Sequence, residues 1–178
     1  MLSLQPLRTR PTPEFAQAWA LYVKAFPPEE RRSIMQQEAL LTNKVYQFLS
    51  IRKDESLAGI LGVWQFPAFT FLEHFAISPD KREKGLGREV IAMLQEISNP
   101  PLVLEVEFPH TPEATRRIAF YERAGFHLNS FAYSQPPYAS GKPWVPLHLM
   151  SWPERLEARQ FEEIKGRLYA KVYQVETT

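Results

Sequence analysis

The chain has 178 residues, 44% of them hydrophobic, which suits one domain with a real core over residues 1–178. Its 21 basic and 20 acidic residues leave a formal net charge of +1, so there is no global pull toward nucleic acid. The absence of cysteine excludes disulfides, thiolate metal sites and a cysteine nucleophile. No stretch approaches the roughly 20 apolar residues of a membrane span. The opening segment MLSLQPLRTRPTPEF lacks the apolar run of a secretory signal. A cytoplasmic protein with no membrane partner, no nucleic-acid partner and no metal is expected.

In chain order, Leu2 to Thr9 reads as a first strand. Pro13 to Phe26 reads as a helix, with Phe15, Trp19, Tyr22, Val23 and Phe26 close to helical spacing. The segment PPEERRS breaks it, and a second helix follows over 34–41. Residues 45–52 and 57–66 predict two strands joined by the polar turn KDES. Residues 69–77 form an apolar strand in which alternation would place Glu73, Phe75 and Ile77 on one face and His74 on the other.

That strand runs into a short basic turn with two glycines, and the turn opens a helix over 86–97. Gly85 and Gly87 carry no Cβ, so a ligand can approach the main chain closely. The first amides of a helix lack intrahelical partners, and the helix dipole favours negative charge there. Lys81, Arg82, Lys84 and Arg88 add positive charge around the turn. These are the ingredients of a pyrophosphate site, or of an ordinary solvated turn. Leu86, Val90, Ile91, Leu94 and Ile97 would pin the helix to a sheet.

Downstream, 102–107 reads as a buried strand carrying Glu105 and Glu107 on one face, and 112–124 as a helix. Thr111 is placed as its N-cap, Pro112 at its first position and Gly125 at its end. Strands near 127–134 and 145–151 flank the aromatic, proline-rich segment YSQPPYASGKPW, either a lid or a stiffened surface loop. Pro153 would begin a last helix over about 153–175, with Phe161, Ile164, Leu168 and Val172 as its apolar stripe. That stripe would cover the sheet or form a homodimer contact, and coverage is the expectation. Strands first, then alternating helix and strand, indicate an α+β fold around a mixed sheet.

A Walker loop is absent, and a Rossmann fingerprint fails because Val90 stands where a third glycine belongs. The pattern Arg/Gln-x-x-Gly-x-Gly/Ala is met by Arg82, Gly85 and Gly87, and resembles the acyl-CoA loop of the GCN5-related N-acetyltransferases (GNAT). The Tyr-x-x-x-Gly-Phe segment typical of that family is matched by Tyr121, Gly125 and Phe126. The LEV around Glu105 resembles the fifth strand of several members.

The resemblance implies a mostly antiparallel sheet of about seven strands flanked by helices, here with an extra C-terminal helix. It implies transfer of an acetyl group from acetyl-CoA to a primary amine, on a small molecule or a peptide, by direct attack in a ternary complex. The alternative is a non-catalytic acyl-CoA sensor, which would not need Tyr121 or Glu105. By the same resemblance the pantetheine arm pairs with the backbone of Phe75, Ala76 and Ile77, and an amide near Ile77 is the oxyanion donor. The turn Arg82, Glu83, Lys84, Gly85, Leu86, Gly87 and Arg88 holds the pyrophosphate, and Tyr121 is the general acid, against a plain core-anchor role.

Glu105 is the first candidate for the base, since burial in an apolar strand raises a carboxylate's pKa. Glu73 is its rival. Exposure of Glu105, or pairing with Arg116 or Arg117, would remove that role. One departure stands out: many members carry Asn seven residues before the tyrosine, where this chain has Ala114. Arg116 and Arg117 would supply cofactor contacts instead, or face solvent. Phe26, Arg31, Arg32, Trp64, Phe66, Tyr133, Tyr138 and Trp144 are candidates to line the acceptor side. With Glu73, Glu105 and Glu107 nearby they suit a cationic amine.

Overall fold

The first half of the sheet is antiparallel throughout. A computed structural model describes residues 1–99 and 101–176, apart from the side chains of Glu83 and Lys84. In it β1 (Leu2–Pro6), β2 (Tyr46–Lys53), β3 (Ser56–Phe66) and β4 (Phe69–Ile77) pair antiparallel in that order. Asp54 and Glu55 turn β2 into β3 with positive φ at both positions, the backbone a tight two-residue hairpin needs. The second half begins with β5 (Leu102–Glu107), which lies parallel to β4 and so requires a crossover, supplied by helix α3 (Leu86–Ile97). After α4 (Pro112–Arg123), β6 (His127–Gln135) and β7 (Val145–Trp152) complete the sheet in the order β1-β2-β3-β4-β5-β7-β6.

The helices divide by face. On one side α1 (Pro13–Ala25), α2 (Ile34–Leu40) and α5 (Ala158–Arg167) pack on Phe48, Trp64, Phe71 and Leu149. On the other, α3 and α4 pack through Leu86, Val90, Ile91, Leu94 and Ile118 on Leu61, Leu72 and Leu104. Caps fix the helix starts. Thr12 and Thr111 each accept the amide of the third helical residue, with proline at the first position, and Ser33 forms a reciprocal capping box with Gln36. Among the described residues no helix is long and apolar enough to cross a membrane.

Two expectations are corrected. Pro153 does not begin the last helix. Residues 153–157 are instead tied to β6 and β7 as a turn: Ser151 Oγ donates to Glu154 O at 2.6 Å, His127 Nε2 to Pro153 O at 2.9 Å, and Leu156 N to Asn129 Oδ1 at 2.8 Å. Helix α5 starts at Ala158 and continues as a π-helical turn over Leu168–Val172. Its stripe of Phe161, Ile164, Leu168 and Val172 is buried on the sheet, as the coverage reading requires.

The second correction concerns β4. Ile60 opposes Ala76 while Gly62 opposes Glu73, so His74 and Phe75 together face the single Leu61. This bulge, with His74 at φ 56°, breaks the alternation. Glu73 and His74 both point to the α1 side, whereas Phe75 and Ile77 pack on the α3 side. The glycines of β3 make room: a Cβ on Gly59 would sit 2.5 Å from Ala76 O, and one on Gly62 2.8 Å from Glu73 O.

Candidate active site

The parallel pairing of β4 with β5 runs only from Thr70–Leu72 against Leu102–Leu104. Beyond it β5 pairs with β7 alone, and β4 and β5 part. The opening is a cleft of about 250 Å³ that passes through the sheet. Phe75, Ile77, Arg82, Arg117 and Tyr121 line it toward α3 and α4, and Phe26, Glu30, Glu73, His74, Glu105 and Tyr138 line it toward α1. The bulge decides which residues face which way: it sets Glu73 and His74 together on the α1 side and leaves Phe75 and Ile77 on the α3 side.

At the α3 end, residues 79–84 wind as a 3₁₀ turn that stops at Gly85, whose left-handed φ of 70° admits glycine readily. Arg82 Nε donates to Ile77 O at 3.1 Å and ties the turn to the end of β4. The side chains of Glu83 and Lys84 lie outside the described residues, and Arg88 is exposed. The structure separates the two glycines. A Cβ on Gly85 would meet nothing within 4 Å, which leaves its backbone open to a ligand. A Cβ on Gly87 would approach Phe120 Cζ to 3.1 Å, so that glycine answers to packing between α3 and α4. An open glycine before a helix N-terminus, at the end of a strand with a free edge, fits a pyrophosphate followed by an extended arm.

Tyr121 projects from α4 and is buried against Phe126 and Phe120. Burial pushes its hydroxyl up to about 12, with Arg117 opposing. Arg117 pairs with Glu107 at 3.2 Å, and Arg116 with Glu113 at 3.2 Å on the exposed face of α4.

The α1 side holds two carboxylates in different surroundings. Glu73 is buried and accepts from Arg32 at 2.9 Å, Trp64 Nε1 at 2.8 Å and Tyr138 Oη at 2.7 Å. Burial alone would raise its pKa, but the Arg32 guanidinium, His74 and the hydrogen bonds from Arg32 and Trp64 together outweigh it and hold the carboxyl down at about 2. His74 places Nε2 2.6 Å from Glu30 O, so that nitrogen carries the proton. Burial lowers this imidazole to about 4, against the attraction of Glu73, and keeps it neutral.

Glu105 is half-buried and accepts from Tyr133 Oη at 2.5 Å, Gln135 Nε2 at 2.9 Å and Tyr173 Oη at 2.7 and 2.8 Å. No Arg or Lys pairs with it among the described residues, so burial dominates and lifts it to about 7. It neither points into solvent nor pairs with Arg116 or Arg117.

Of the residues expected on the acceptor side, Phe26 and Tyr138 line the cleft, while Arg32, Trp64 and Tyr133 stand behind it as donors to the two glutamates. Arg31 fastens the end of α1 through Val23 O and Phe26 O. Phe66 packs on Phe69, and Trp144 rests half-exposed on Tyr169. The segment 133–144 is no free lid: Gln36 holds Tyr138 O at 2.6 Å, and Lys142 holds Arg31 O at 2.9 Å. No motif in the sequence marks Gln135 or Tyr173. Tyr173 follows the apolar stripe of the last helix by one position, and only the π turn reveals where it points.

The sequence profile of the acetyltransferase (GNAT) family matches residues 12–126. A Bacillus subtilis (strain 168) protein named "Putative acetyltransferase YjbC" is 33% identical over 141 residues, 76% of this chain and 69% of that protein. A GNAT-family structure from Bacteroides thetaiotaomicron is 35% identical, covers 98% of this chain with 99% of its own, and superposes with a TM-score of 0.91. The fold is also that of spermidine N-acetyltransferase from Vibrio cholerae in complex with CoA and spermine, at a TM-score of 0.62 and 15% identity over 84% of this chain and 94% of that one. With its seven-stranded sheet, parted central strands and glycine turn, the chain belongs to the GNAT family of acetyltransferases and is an acyltransferase.

Proposed function

We propose that the protein, as a single catalytic domain, transfers the acetyl group of acetyl-CoA to a primary amine by direct attack in a ternary complex. Glu105 accepts the proton released by the amine, and Tyr121 donates a hydrogen bond at the leaving sulfur. The observation that carries this reading is the pair of environments across one cleft: a carboxylate lifted to about 7 on the α1 side, and a protonated tyrosine on the α4 side.

When bound, acetyl-CoA supplies an activated acyl group and a thiol leaving group. The backbone of Phe75, Ala76 and Ile77 would hold the pantetheine arm along the free edge of β4. The amides at Gly85, Leu86 and Gly87 would take the pyrophosphate, with Arg82, Arg88 and Arg117 around it. The amide near Ile77 would serve the developing oxyanion. No cysteine exists to carry an acyl group, which supports direct attack.

Glu105 is better matched to the proton than Glu73. A base near neutrality is half ionised at working pH and still basic enough to take a proton, whereas a carboxylate near 2 is a poor acceptor. Stripping a free alkylammonium near 10 would still be uphill by about 4 kcal/mol, so Glu105 acts best on the proton that becomes acidic as the new C–N bond forms. Tyr121, at about 12, keeps its proton throughout neutral pH. Full transfer to a thiolate whose thiol titrates near 8.5 is uphill, so hydrogen-bond donation is its main contribution. Phe26, Tyr138, Glu30 and Glu107 at the acceptor side suit a cationic amine, on a small molecule or a peptide.

The test is CoA release from acetyl-CoA with a panel of primary amines: spermidine, an aminoglycoside and a peptide with a free N-terminus. Glu105→Gln should lower turnover by about 10²–10⁴-fold at neutral pH. Acetyl-CoA should still raise the unfolding midpoint of that variant, and of Tyr121→Phe, because neither change touches the phosphate turn. Undiminished turnover in Glu105→Gln would remove the base, and no midpoint shift in the wild type would remove the cofactor site.

A further inference from the structure

The three donors around Glu105 all come from outside the stretch matched by the family profile, which ends at residue 126. Tyr133 and Gln135 belong to the edge strand β6. Tyr173 comes from much farther along the chain, after α5. Its hydroxyl reaches both carboxylate oxygens and also receives a hydrogen bond from Gln135 Nε2 at 3.1 Å. The ring packs on Tyr138, 5.2 Å between centroids, and Tyr138 is itself a donor to Glu73.

The backbone that delivers Tyr173 is unusual. Regular α-helix stops at Arg167, and Leu168–Val172 wind as a π-helical turn, a geometry rare in helices and frequent at functional sites. The turn is anchored on both flanks. Tyr169 Oη donates to Ser134 O at 2.6 Å, and the buried Arg32 reaches Val172 O at 3.4 Å. An α-helical continuation would rotate residue 173 by a fraction of a turn and carry its hydroxyl off the carboxylate. A segment whose task was only to cover the sheet would need its apolar stripe, which Phe161, Ile164, Leu168 and Val172 already provide.

We propose that the C-terminal segment is part of the catalytic machinery, with Tyr173 as a positioning residue that holds the Glu105 carboxylate in place and sets its proton affinity. The proposal rests on Glu105 being the base. Other groups face that carboxylate as well. Tyr133 approaches from β6, Glu73 from β4 with its partner Arg32, and Tyr138 from the loop after β6. Glu107 lies two residues on along β5, paired to Arg117. From β7 the facing residues Leu147 and Leu149 are apolar and carry no charge to it. Among these, Tyr173 is the donor that touches both oxygens, so it fixes the plane of the carboxylate as well as its charge.

Removing a hydrogen bond to the charged form raises a carboxyl pKa. Tyr173→Phe keeps the ring on Tyr138 and deletes the hydroxyl. In the full-length chain, labelled with ¹³C at the glutamate carboxyl and assigned by comparison with Glu105→Gln, the Glu105 titration midpoint should move up by about one pH unit. The acid limb of the pH profile for CoA release with spermidine, or whichever amine of the panel reacts, should move by the same amount. Acetyl-CoA should protect the variant from unfolding as it does the wild type. An unchanged midpoint and profile in a folded Tyr173→Phe protein would overturn the positioning role and leave Tyr173 as a fastener of the C-terminus. If Tyr173→Phe fails to fold, a fluorinated tyrosine at 173 retains the hydroxyl and makes it a stronger donor. The midpoint must then fall, and a midpoint that stays put overturns the proposal. Full activity in Glu105→Gln is a separate outcome: it removes the catalytic reading, whatever the carboxyl titration shows.

Discussion

Glu73 and Glu105 stand on neighbouring strands, point to the same face of the sheet and line one cleft, yet one carboxyl is held well below the ordinary carboxylate range and the other is lifted above it. Both are taken from water, and both are surrounded by donors. The difference is the kind of donor. Glu73 receives a full positive charge from Arg32, stacked within 6 Å of the rings of Tyr46, Trp64 and Tyr138. Glu105 receives only the dipoles of two phenols and an amide. Neutral dipoles satisfy a carboxylate's geometry without cancelling its charge, so the desolvation penalty still shows in the pKa. One side of the cleft is thereby a fixed anion, and the other a group that can change its charge near neutral pH.

The sharpest way to break the contrast is to remove Arg32. Arg32→Met would leave Glu73 with Trp64 and Tyr138 alone, an environment of the Glu105 type. An uncompensated buried charge costs about 3–5 kcal/mol, which denaturant titration should read as a loss of that size. The Glu73 carboxyl should then titrate far above its present value of about 2. The double variant Arg32→Met, Glu73→Gln should recover much of the loss, since the pair itself adds little over a neutral substitute. A single variant as stable as the wild type would mean that Arg32 is not what holds Glu73 ionised.

The pH dependence of stability gives a smaller effect with a definite sign. Glu73 has its folded pKa below the ordinary 4.5, so its contribution is present above pH 4.5 and is lost as pH falls toward 2. Glu105 has its folded pKa above 4.5, so its contribution is full below pH 4.5 and is lost as pH rises through 7. His74, lowered from 6.5 to about 4, adds stability above pH 6.5 that disappears on the way down to 4. Between pH 4.5 and 7, Glu105 and His74 therefore oppose each other. Glu105→Gln removes the falling component. Its stability relative to the wild type should grow across that window by on the order of 2 kcal/mol. Parallel urea midpoints for the two proteins at every pH would show that Glu105 does not titrate near 7.

Much of this was legible in the sequence where the signal is local. The strand 69–77, the helix 86–97, the strand 102–107 and the capped start at Pro112 follow from apolar periodicity and turn chemistry, and all four lie where the pattern put them. Glu105 stood out because a carboxylate inside LVLEV demands an explanation. What failed was the face of Glu73, because alternation assumes an unbroken register. The available signal sat in the partner strand, where Gly59 and Gly62 leave room for the bulge. Arg32 and Tyr173 carry no local signal as partners of these glutamates. They are 41 and 68 residues from them along the chain, and packing alone brings them in.

Glu107 supplies the last and smallest test, because it repeats the comparison within one strand. It lies on the same face as Glu105, two residues on, and has the charged partner that Glu105 lacks, Arg117 at 3.2 Å. Yet Arg117 and Glu107 are 52% and 41% exposed, so water screens the pair and ordering two long side chains offsets most of its attraction. Glu107→Gln should change stability by less than about 1 kcal/mol in denaturant titration. Glu30, raised by burial first and by Glu107 second, should drop toward the ordinary carboxylate range. The Glu105 midpoint should barely move, since what holds it up is desolvation. If Glu107→Gln moved Glu105 as far as Tyr173→Phe does, the acidity of the cleft would follow from its summed charge, and the contact cage around Glu105 would lose its special standing.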